Sequence, residues 1–165
     1  MNVVLQSLSA ELLDRMITDP AAALVGIAVV APAHCDWLKE IAAMSRDFYQ
    51  KIGAQPPWTG YFALDRDTRE VVGTCGFKGN PDDAGTVEIA YATLKSFEGR
   101  GAGTAMAGQL TTIAVREAVV RRVIAHTLPE RNASCRVLEK SGYAWAGEEI
   151  DPEDGKVWRW EWRSS

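Results

Sequence analysis

The spacing of apolar residues changes along the chain from a helical period to a strand period. In the first third, Leu12, Leu13 and Met16 share one side of a helix that Ser9 is expected to cap. A second helix is predicted from five more apolar residues at helical spacing, which are expected in the core: Trp37, Leu38, Ile41, Met44 and Phe48. Residues 51–60 contain Gly and consecutive prolines and are predicted to form a loop.

The middle of the chain has the composition of β-strands. Residues 61–64 and 71–77 flank the polar turn 65–69 and predict a hairpin. The Gly-, Asn- and Asp-rich segment 79–85 predicts a loop, after which residues 86–93 predict a further strand. The three strands are thus expected to form an antiparallel meander.

The second half alternates between helices and strands. Met106, Leu110, Ile113 and Ala114 mark the buried side of a helix expected to end near Arg121 and Arg122, whose charges suit its carboxyl end. A strand is predicted at 123–126, a helix capped by Asn132 follows, and strands at 143–149 and 157–162 form a terminal hairpin with its turn at 151–155. In that hairpin one face carries three tryptophans and the other carries two charged residues: Trp158, Trp160 and Trp162 against Arg159 and Glu161.

This order of elements predicts an α/β (α+β) fold with a mixed, mostly antiparallel central sheet and helices on both faces. The 165 residues show no internal repeat and no linker, so residues 1–165 are expected to form a single domain. Hydrophobic residues make up 47% and charged residues 24%, which excludes overall disorder. A net charge of −4 argues against an extended nucleic-acid surface and is compatible with a cationic amine substrate.

The cysteines and the N-terminal apolar run bear on the cellular compartment. Cys35, Cys75 and Cys135 are odd in number and widely spaced, which favours a reducing cytoplasm over a disulfide framework and gives no zinc-site spacing. The apolar run at residues 21–33 contains Gly26 and is too short to span a bilayer, so we expect it to pack against the domain. We therefore expect a cytoplasmic protein without a membrane partner.

The segment 98–105, Glu-Gly-Arg-Gly-Ala-Gly-Thr-Ala, joins the predicted strand 86–93 to the following helix. Gly99, Gly101 and Gly103 permit positive φ and free the turn of side chains, so main-chain N–H groups can converge on an anion at the start of the helix. The segment lacks the Gly-Lys-Ser/Thr of a nucleotide-hydrolysing loop, and Met106 stands where a dinucleotide fingerprint requires its third glycine. A phosphate-bearing cofactor of another kind is predicted, with a plain glycine turn as the alternative.

Two segments resemble the GNAT superfamily of acetyl-CoA-dependent N-acetyltransferases. Segment 98–105 is similar to its Gln/Arg-x-x-Gly-x-Gly/Ala pyrophosphate loop, with Glu98 in place of the usual Gln or Arg. Residues 128–143, which contain Val-Leu-Glu-Lys followed by Ser-Gly-Tyr, resemble a later family motif as it occurs in the branch with the ribosomal-protein N-terminal acetyltransferases. The resemblance covers about half of the chain and implies acetyl-CoA as co-substrate, with no metal.

The resemblance also implies the cofactor-binding positions. Main-chain groups of Tyr91 and Thr93 are expected to hold the pantetheine arm and the acetyl carbonyl, which requires that the neighbouring strands splay apart. Glu98 is expected to direct its carboxylate away from the phosphates, and Asn132 opens the second motif. The pyrophosphate is expected on the loop that comprises Gly99, Arg100, Gly101, Ala102, Gly103 and Thr104.

Glu88 and Ser134 are the candidate catalytic residues. Glu88 matches a family position that often carries a catalytic glutamate and is the predicted base, the alternative being an edge-strand carboxylate that faces solvent. The family's proton-donating tyrosine is replaced by Leu138, so Ser134 becomes the predicted acid, the alternative being a hydroxyl that serves the helix N-terminus. His126 is interpreted as a histidine whose hydrogen bonds are satisfied in the core or a cleft.

The predicted function is direct transfer of an acetyl group from acetyl-CoA to a primary amine in a ternary complex. The acceptor is either a peptide or protein N-terminus or a small-molecule amine, and the sequence leaves open whether the chain forms a homodimer. A catalytically silent acyl-CoA-binding module is the alternative, and a nucleotide-binding protein is a third, less favoured hypothesis.

Overall fold

The computed structural model describes residues 1–163 and contains one seven-stranded sheet with the order β1-β2-β3-β4-β5-β7-β6. The strands are β1 (Val3–Ser7), β2 (Gly60–Asp65), β3 (Val71–Phe77), β4 (Thr86–Thr93), β5 (Arg122–Thr127), β6 (Tyr143–Asp151) and β7 (Gly155–Trp162). Neighbouring strands are antiparallel except β4 and β5, which run parallel. The predicted mixed, mostly antiparallel sheet is confirmed.

Within the described residues, five α-helices cover the two faces of this sheet. They are α1 (Ala10–Thr18), α2 (Pro20–Ala23), α3 (Cys35–Ile52), α4 (Ala102–Val115) and α5 (Ala133–Lys140). One buried cluster joins α4 and α5 to the sheet and includes Met106, Leu110 and Leu138. A second cluster joins α1 and α3 to the opposite face and includes Met16 and Leu38. Among the helices of residues 1–163, none combines the length and the apolarity needed to cross a bilayer.

Two local predictions at the helix and hairpin ends are confirmed. The Ser9 hydroxyl accepts a hydrogen bond from the Leu12 N–H at 3.1 Å and caps α1. On β7, Trp160 is fully buried, and Trp158 and Trp162 pack against the same core cluster. The apolar run at 21–33 packs partly as expected, because Leu24 is buried, although Val25 and Val29 are exposed.

Three local predictions need correction. The edge strand β1 was not predicted, because five residues in which only three are aliphatic give too short a periodic signal. Met44 and Phe48 are 67% and 42% exposed rather than in the core, because α3 buries the side that carries Leu38 and Ala42, and both residues lie off that side. Helix α4 ends at Val115, well before Arg121.

The segment after α4 is hydrogen-bonded to the residue before β4. The N–H groups of Arg121 and Arg122 both donate to the Gly85 carbonyl, at 2.8 and 3.1 Å, and Arg122 starts β5. These arginines therefore connect the segment to the start of β4 and do not complement the dipole of α4.

Strands β4 and β5 diverge after a short parallel pairing. Their register covers only three residue pairs, Thr86–Arg122, Val87–Val123 and Glu88–Ile124, while β4 continues to Thr93 against β3. The Glu88 carbonyl accepts from Lys78 and the Leu94 N–H donates to Val72, so main-chain groups of even-numbered residues face β3. Because directions alternate along a strand, those of Ile89, Tyr91 and Thr93 face the gap on the β5 side.

Candidate functional site

A cleft of about 640 Å³ lies at the fork between β4 and β5. Its wall on one side is the end of β4, its floor is the loop before α4, and its other side is one face of α5. Nine of the predicted site residues line this cleft: Tyr91, Thr93, Glu98, Gly99, Gly101, Ala102, Gly103, Thr104 and Ser134. The structure thus brings together residues that are more than 40 positions apart in sequence.

The main-chain amides of the loop are free of protein acceptors. Within residues 1–163, none of the N–H groups from Gly99 to Thr104 donates to a main-chain or side-chain acceptor, and the first bonded amide is that of Ala105, at 3.1 Å from the Gly101 carbonyl. Helix α4 has no side-chain cap, so its first donors and the positive end of its dipole face the cleft. This arrangement suits a phosphate group.

The glycines of the loop have two different roles. Gly99 and Gly101 have φ of +75° and +88°, as predicted, and Gly101 is the residue that turns the chain into α4. Gly103 was predicted to share this property but lies in the first turn of α4. A Cβ there would approach Val137 of α5 at 3.2 Å and Thr93 of β4 at 3.6 Å, so Gly103 allows the three elements to meet closely.

The main-chain groups of Tyr91 and Thr93 face the fork, as derived from their register. Within the described part of the chain, β5 does not pair with either residue, and the splayed strands that the pantetheine hypothesis requires are present. The phenol of Tyr91 also reaches α5, where it donates to the Ser134 carbonyl at 3.4 Å. Burial raises the pKa of Tyr91, so its hydroxyl stays protonated at neutral pH.

Ser134 and Asn132 have distinct surroundings at the start of α5. The Asn132 side chain accepts from the Cys135 N–H at 3.1 Å and caps the helix, and Asn132 is not among the residues that line the cleft. Ser134 does line it, and its hydroxyl makes no hydrogen bond to residues 1–163. The alternative that Ser134 caps α5 is therefore wrong, since Asn132 performs that function.

Two basic residues of the cleft were missed by the sequence analysis. Arg136 and Lys140 lie on the face of α5 that borders the cleft, with Ala133 and Val137. Their spacing along an exposed helix face next to a phosphate loop was the available signal. Arg100, which was predicted, does not line the cleft, and its guanidinium lies 5.6 Å from the centre of the Phe97 ring.

Glu88 belongs to a network of charged residues on the sheet face opposite α4 and α5. Its Oε1 lies 2.8 Å from His126 Nδ1, and its Oε2 lies 3.0 Å from the Lys78 ammonium. His126 Nε2 lies 2.8 Å from Glu149 Oε2, and Glu149 also accepts from Arg159 at 3.0 Å. The alternative of a solvent-facing carboxylate on an edge strand is wrong, because β4 has neighbours on both sides and the Glu88 side chain is 18% exposed.

The network determines the ionisation of its members. Burial alone would raise the pKa of Glu88, but the hydrogen bond from His126 and the nearby Lys78 ammonium hold the pKa below its ordinary value. The hydrogen bond to Glu88 raises the pKa of His126, and the bond to Glu149 adds to this effect. Glu88 is therefore an anion at neutral pH, and His126 is the satisfied histidine that the sequence predicted.

A second groove of about 350 Å³ lies between α3 and strands β3 and β4. Most of the residues that line this groove are aliphatic or aromatic, and they include the exposed Met44 and Phe48. Within residues 1–163, Lys78 is the one charged residue of the lining. Tyr91 and Ala92 line both this groove and the cleft at the fork, so the two cavities meet on β4.

Comparison with known proteins agrees with this geometry. A family model described as an acetyltransferase (GNAT) domain matches residues 9–144. An uncharacterized N-acetyltransferase, YjdG of Bacillus subtilis (strain 168), is 31% identical over 98 residues, and the match covers 59% of this chain and 58% of that protein. The chain thus matches less than two thirds of the length of this relative.

Solved structures share the fold at lower identity. RimL, a ribosomal L7/L12 alpha-N-protein acetyltransferase in complex with coenzyme A, has a TM-score of 0.65 at 16% identity, covering 98% of this chain and 93% of that one. The aminoglycoside acetyltransferase AAC(6')-Ib in complex with paromomycin and acetyl-CoA has a TM-score of 0.67 at 18% identity, with the same coverage. A GNAT-family acetyltransferase of Bordetella pertussis has a TM-score of 0.62 at 18% identity, covering 98% and 95%. From the match to residues 9–144, the chain belongs to the GNAT acetyltransferase family.

Proposed function

We propose that this protein transfers an acetyl group from acetyl-CoA to a primary amine by direct attack in a ternary complex. The observation that carries the proposal is the run of main-chain amides at 99–104 that donate to no acceptor within residues 1–163 and open into the cleft at the fork. The diphosphate binds these amides, and Arg136 and Lys140 supply positive charge at the same cleft.

The fork positions the thioester. The free main-chain groups of Tyr91 and Thr93 pair with the pantetheine amides, so the cofactor replaces the strand pairing that β5 no longer provides. This places the acetyl group near Tyr91 and Ala92, where the cleft meets the second groove. The amine enters through that groove and reaches the carbonyl carbon from the opposite side of β4.

Glu88 accepts the proton that the amine loses. As an anion three positions before Tyr91 it stabilises the incoming ammonium, and it takes up a proton directly or through a water molecule. The sulfur of coenzyme A leaves as a thiolate and needs a proton in turn. The Ser134 hydroxyl, which lines the cleft, is the proposed donor.

The lining of the second groove favours one kind of acceptor. A polycation such as a polyamine requires several carboxylates, whereas this groove presents aliphatic and aromatic side chains and a single ammonium. We infer that the acceptor carries one amine on an apolar body, as a small molecule or at the N-terminus of a peptide.

Titration calorimetry with coenzyme A and a free-thiol assay with a panel of amines test the proposal together. We expect binding of coenzyme A and thiol release that depends on both acetyl-CoA and an amine. Binding without acceptor-dependent release would support the silent acyl-CoA-binding module, which is favoured by the buried Leu138 at the position of the family's tyrosine. Absence of any binding would contradict both functions.

A further inference from the structure

Acetylation of an ammonium group releases one proton to bulk water in each turnover. The ammonium carries three protons and the amide product keeps one; of the other two, one goes to the thiolate and one must reach bulk water. On the proposed function this second proton is bound by Glu88, whose side chain is 18% exposed. Glu88 must lose it before the next acceptor is bound.

A chain of hydrogen bonds leads from Glu88 to the protein surface. Glu88 Oε1 is 2.8 Å from His126 Nδ1, and His126 Nε2 is 2.8 Å from Glu149 Oε2. The exposed fraction of the side chain is 15% for His126 and 41% for Glu149, so the last member of the chain contacts solvent. Both distances are those of strong hydrogen bonds.

We propose that His126 and Glu149 form a proton relay that returns Glu88 to its anionic form after each acetyl transfer. When Glu88 carries the proton, the neutral imidazole accepts it at Nδ1, while the proton on Nε2 passes to Glu149, which gives it to water. Nδ1 then donates to the Glu88 anion, as in the network described above. Before the next transfer, Nε2 takes up a proton from water through Glu149, and the Nδ1 proton is lost to water. One proton enters and one leaves, so no further reactant is needed.

The surrounding charges support this direction of transfer. The lowered pKa of Glu88 means that a proton bound there leaves readily. Arg159 holds Glu149 in place through a hydrogen bond of 3.0 Å, and it is also bonded to Glu161. The titratable and charged groups around the imidazole are Lys78 after β3, Glu88 on β4, Glu149 and Asp151 on β6, Asp154 in the following turn, and Arg159 and Glu161 on β7.

The experiment compares Glu149→Gln and His126→Gln with the control Glu161→Gln. The control removes a carboxylate from the same Arg159 but does not contact the imidazole. Turnover is measured by thiol release from pH 6 to 9, at low and at high concentrations of imidazole buffer, with a protonated amine as acceptor. We expect kcat of the two relay variants to fall about tenfold at low buffer, and high buffer to restore it because imidazole replaces the relay.

Several results would overturn the relay. The relay is contradicted if Glu149→Gln has the same kcat as wild type in weak buffer. It is also contradicted if imidazole does not restore a lost kcat, because the residues would then have a purely structural role. An equal loss in Glu161→Gln would show a general effect of charge. Glu149→Gln keeps the test valid if His126→Gln does not fold, since Glu149 is at the surface. A wild-type protein without acceptor-dependent turnover would instead contradict the proposed function, and the relay with it.

Discussion

Glu88 is the residue at which the proposed chemistry is most directly tested. Replacement by glutamine preserves its size and removes its ability to accept a proton, so we expect kcat to fall by about 10² or more. Binding of coenzyme A, measured by calorimetry, is expected to be unchanged, because Glu88 does not line the cofactor cleft. Glu148→Gln is a matched control, as Glu148 is an exposed carboxylate of β6 bonded to Trp158. Unchanged turnover and pH dependence in Glu88→Gln would remove the base assignment.

Individual residues also show what the sequence could not reveal. The Glu88 position was found from the family motif, but the other members of its network lie just after β3, on β5 and on β6 (Lys78, His126 and Glu149). They meet only through the sheet register. Ser134 and Asn132 were both predicted, but which of them caps α5 depends on side-chain geometry that either residue type permits.

At the scale of elements, the junction of the loop with α4 determines cofactor binding. Gly101 adopts φ of +88°, and a Cβ there would contact only the Met1 nitrogen, at 3.8 Å, so Gly101→Ala tests backbone strain rather than crowding. We expect a loss of about 1 kcal/mol in the free energy of unfolding. Affinity for coenzyme A should fall about tenfold, which corresponds to about 1.4 kcal/mol. Calorimetry and urea denaturation measure the two quantities.

Gly108 provides the matched control within the same helix. It lies inside α4, and a Cβ there meets no atom within 4 Å. Gly108→Ala should therefore raise the free energy of unfolding by about 0.5–1 kcal/mol and leave coenzyme A binding unchanged. Equal effects of the two substitutions on binding would contradict the assignment of the loop.

Elements with strong periodicity or clear end signals were predicted well, and others were not. The strand 86–93 and the helix capped by Asn132 were predicted well, because Asp and Gly precede the first and Asn and Gly flank the second. Helix α3 has the expected period, yet packing decides which of its sides is buried: Leu38 and Ala42 are buried and Met44 is exposed. The arginines expected at the end of α4 instead bond the Gly85 carbonyl, which is distant in sequence.

For the whole molecule, the network around His126 gives a pH dependence of stability. The folded-state pKa of His126 is raised above 6.5, so its contribution is complete below pH 6.5 and is lost as pH rises through the folded-state pKa. The folded-state pKa of Glu88 is lowered below 4.5, so its contribution is present above pH 4.5 and is lost as pH falls through the folded-state pKa. The difference in unfolding free energy between wild type and His126→Gln should be largest between pH 4.5 and 6.5. A difference that grows towards pH 9 in urea denaturation would contradict this.

Acceptor choice is also a property of the whole molecule, because the second groove is built from α3, β3 and β4. We expect a higher kcat/KM for monoamines with an apolar body than for spermidine or an aminoglycoside. Met44→Glu should reduce this preference, whereas Val25→Glu, at a site that is 77% exposed and outside the groove, should leave it unchanged. Preferential acetylation of spermidine by the wild type would contradict the inferred acceptor class without affecting the proposed reaction.

The fork has a mechanical consequence for the molecule. Strands β1 to β4 and strands β5 to β7 form two half-sheets, and the three residue pairs between β4 and β5 are the shortest junction in the sheet. Coenzyme A bound in the fork would connect the two half-sheets, since it pairs with main-chain groups of β4 on one side and contacts α5 on the other. A higher concentration of coenzyme A in the cell would then raise the free energy of unfolding of this protein and slow its degradation.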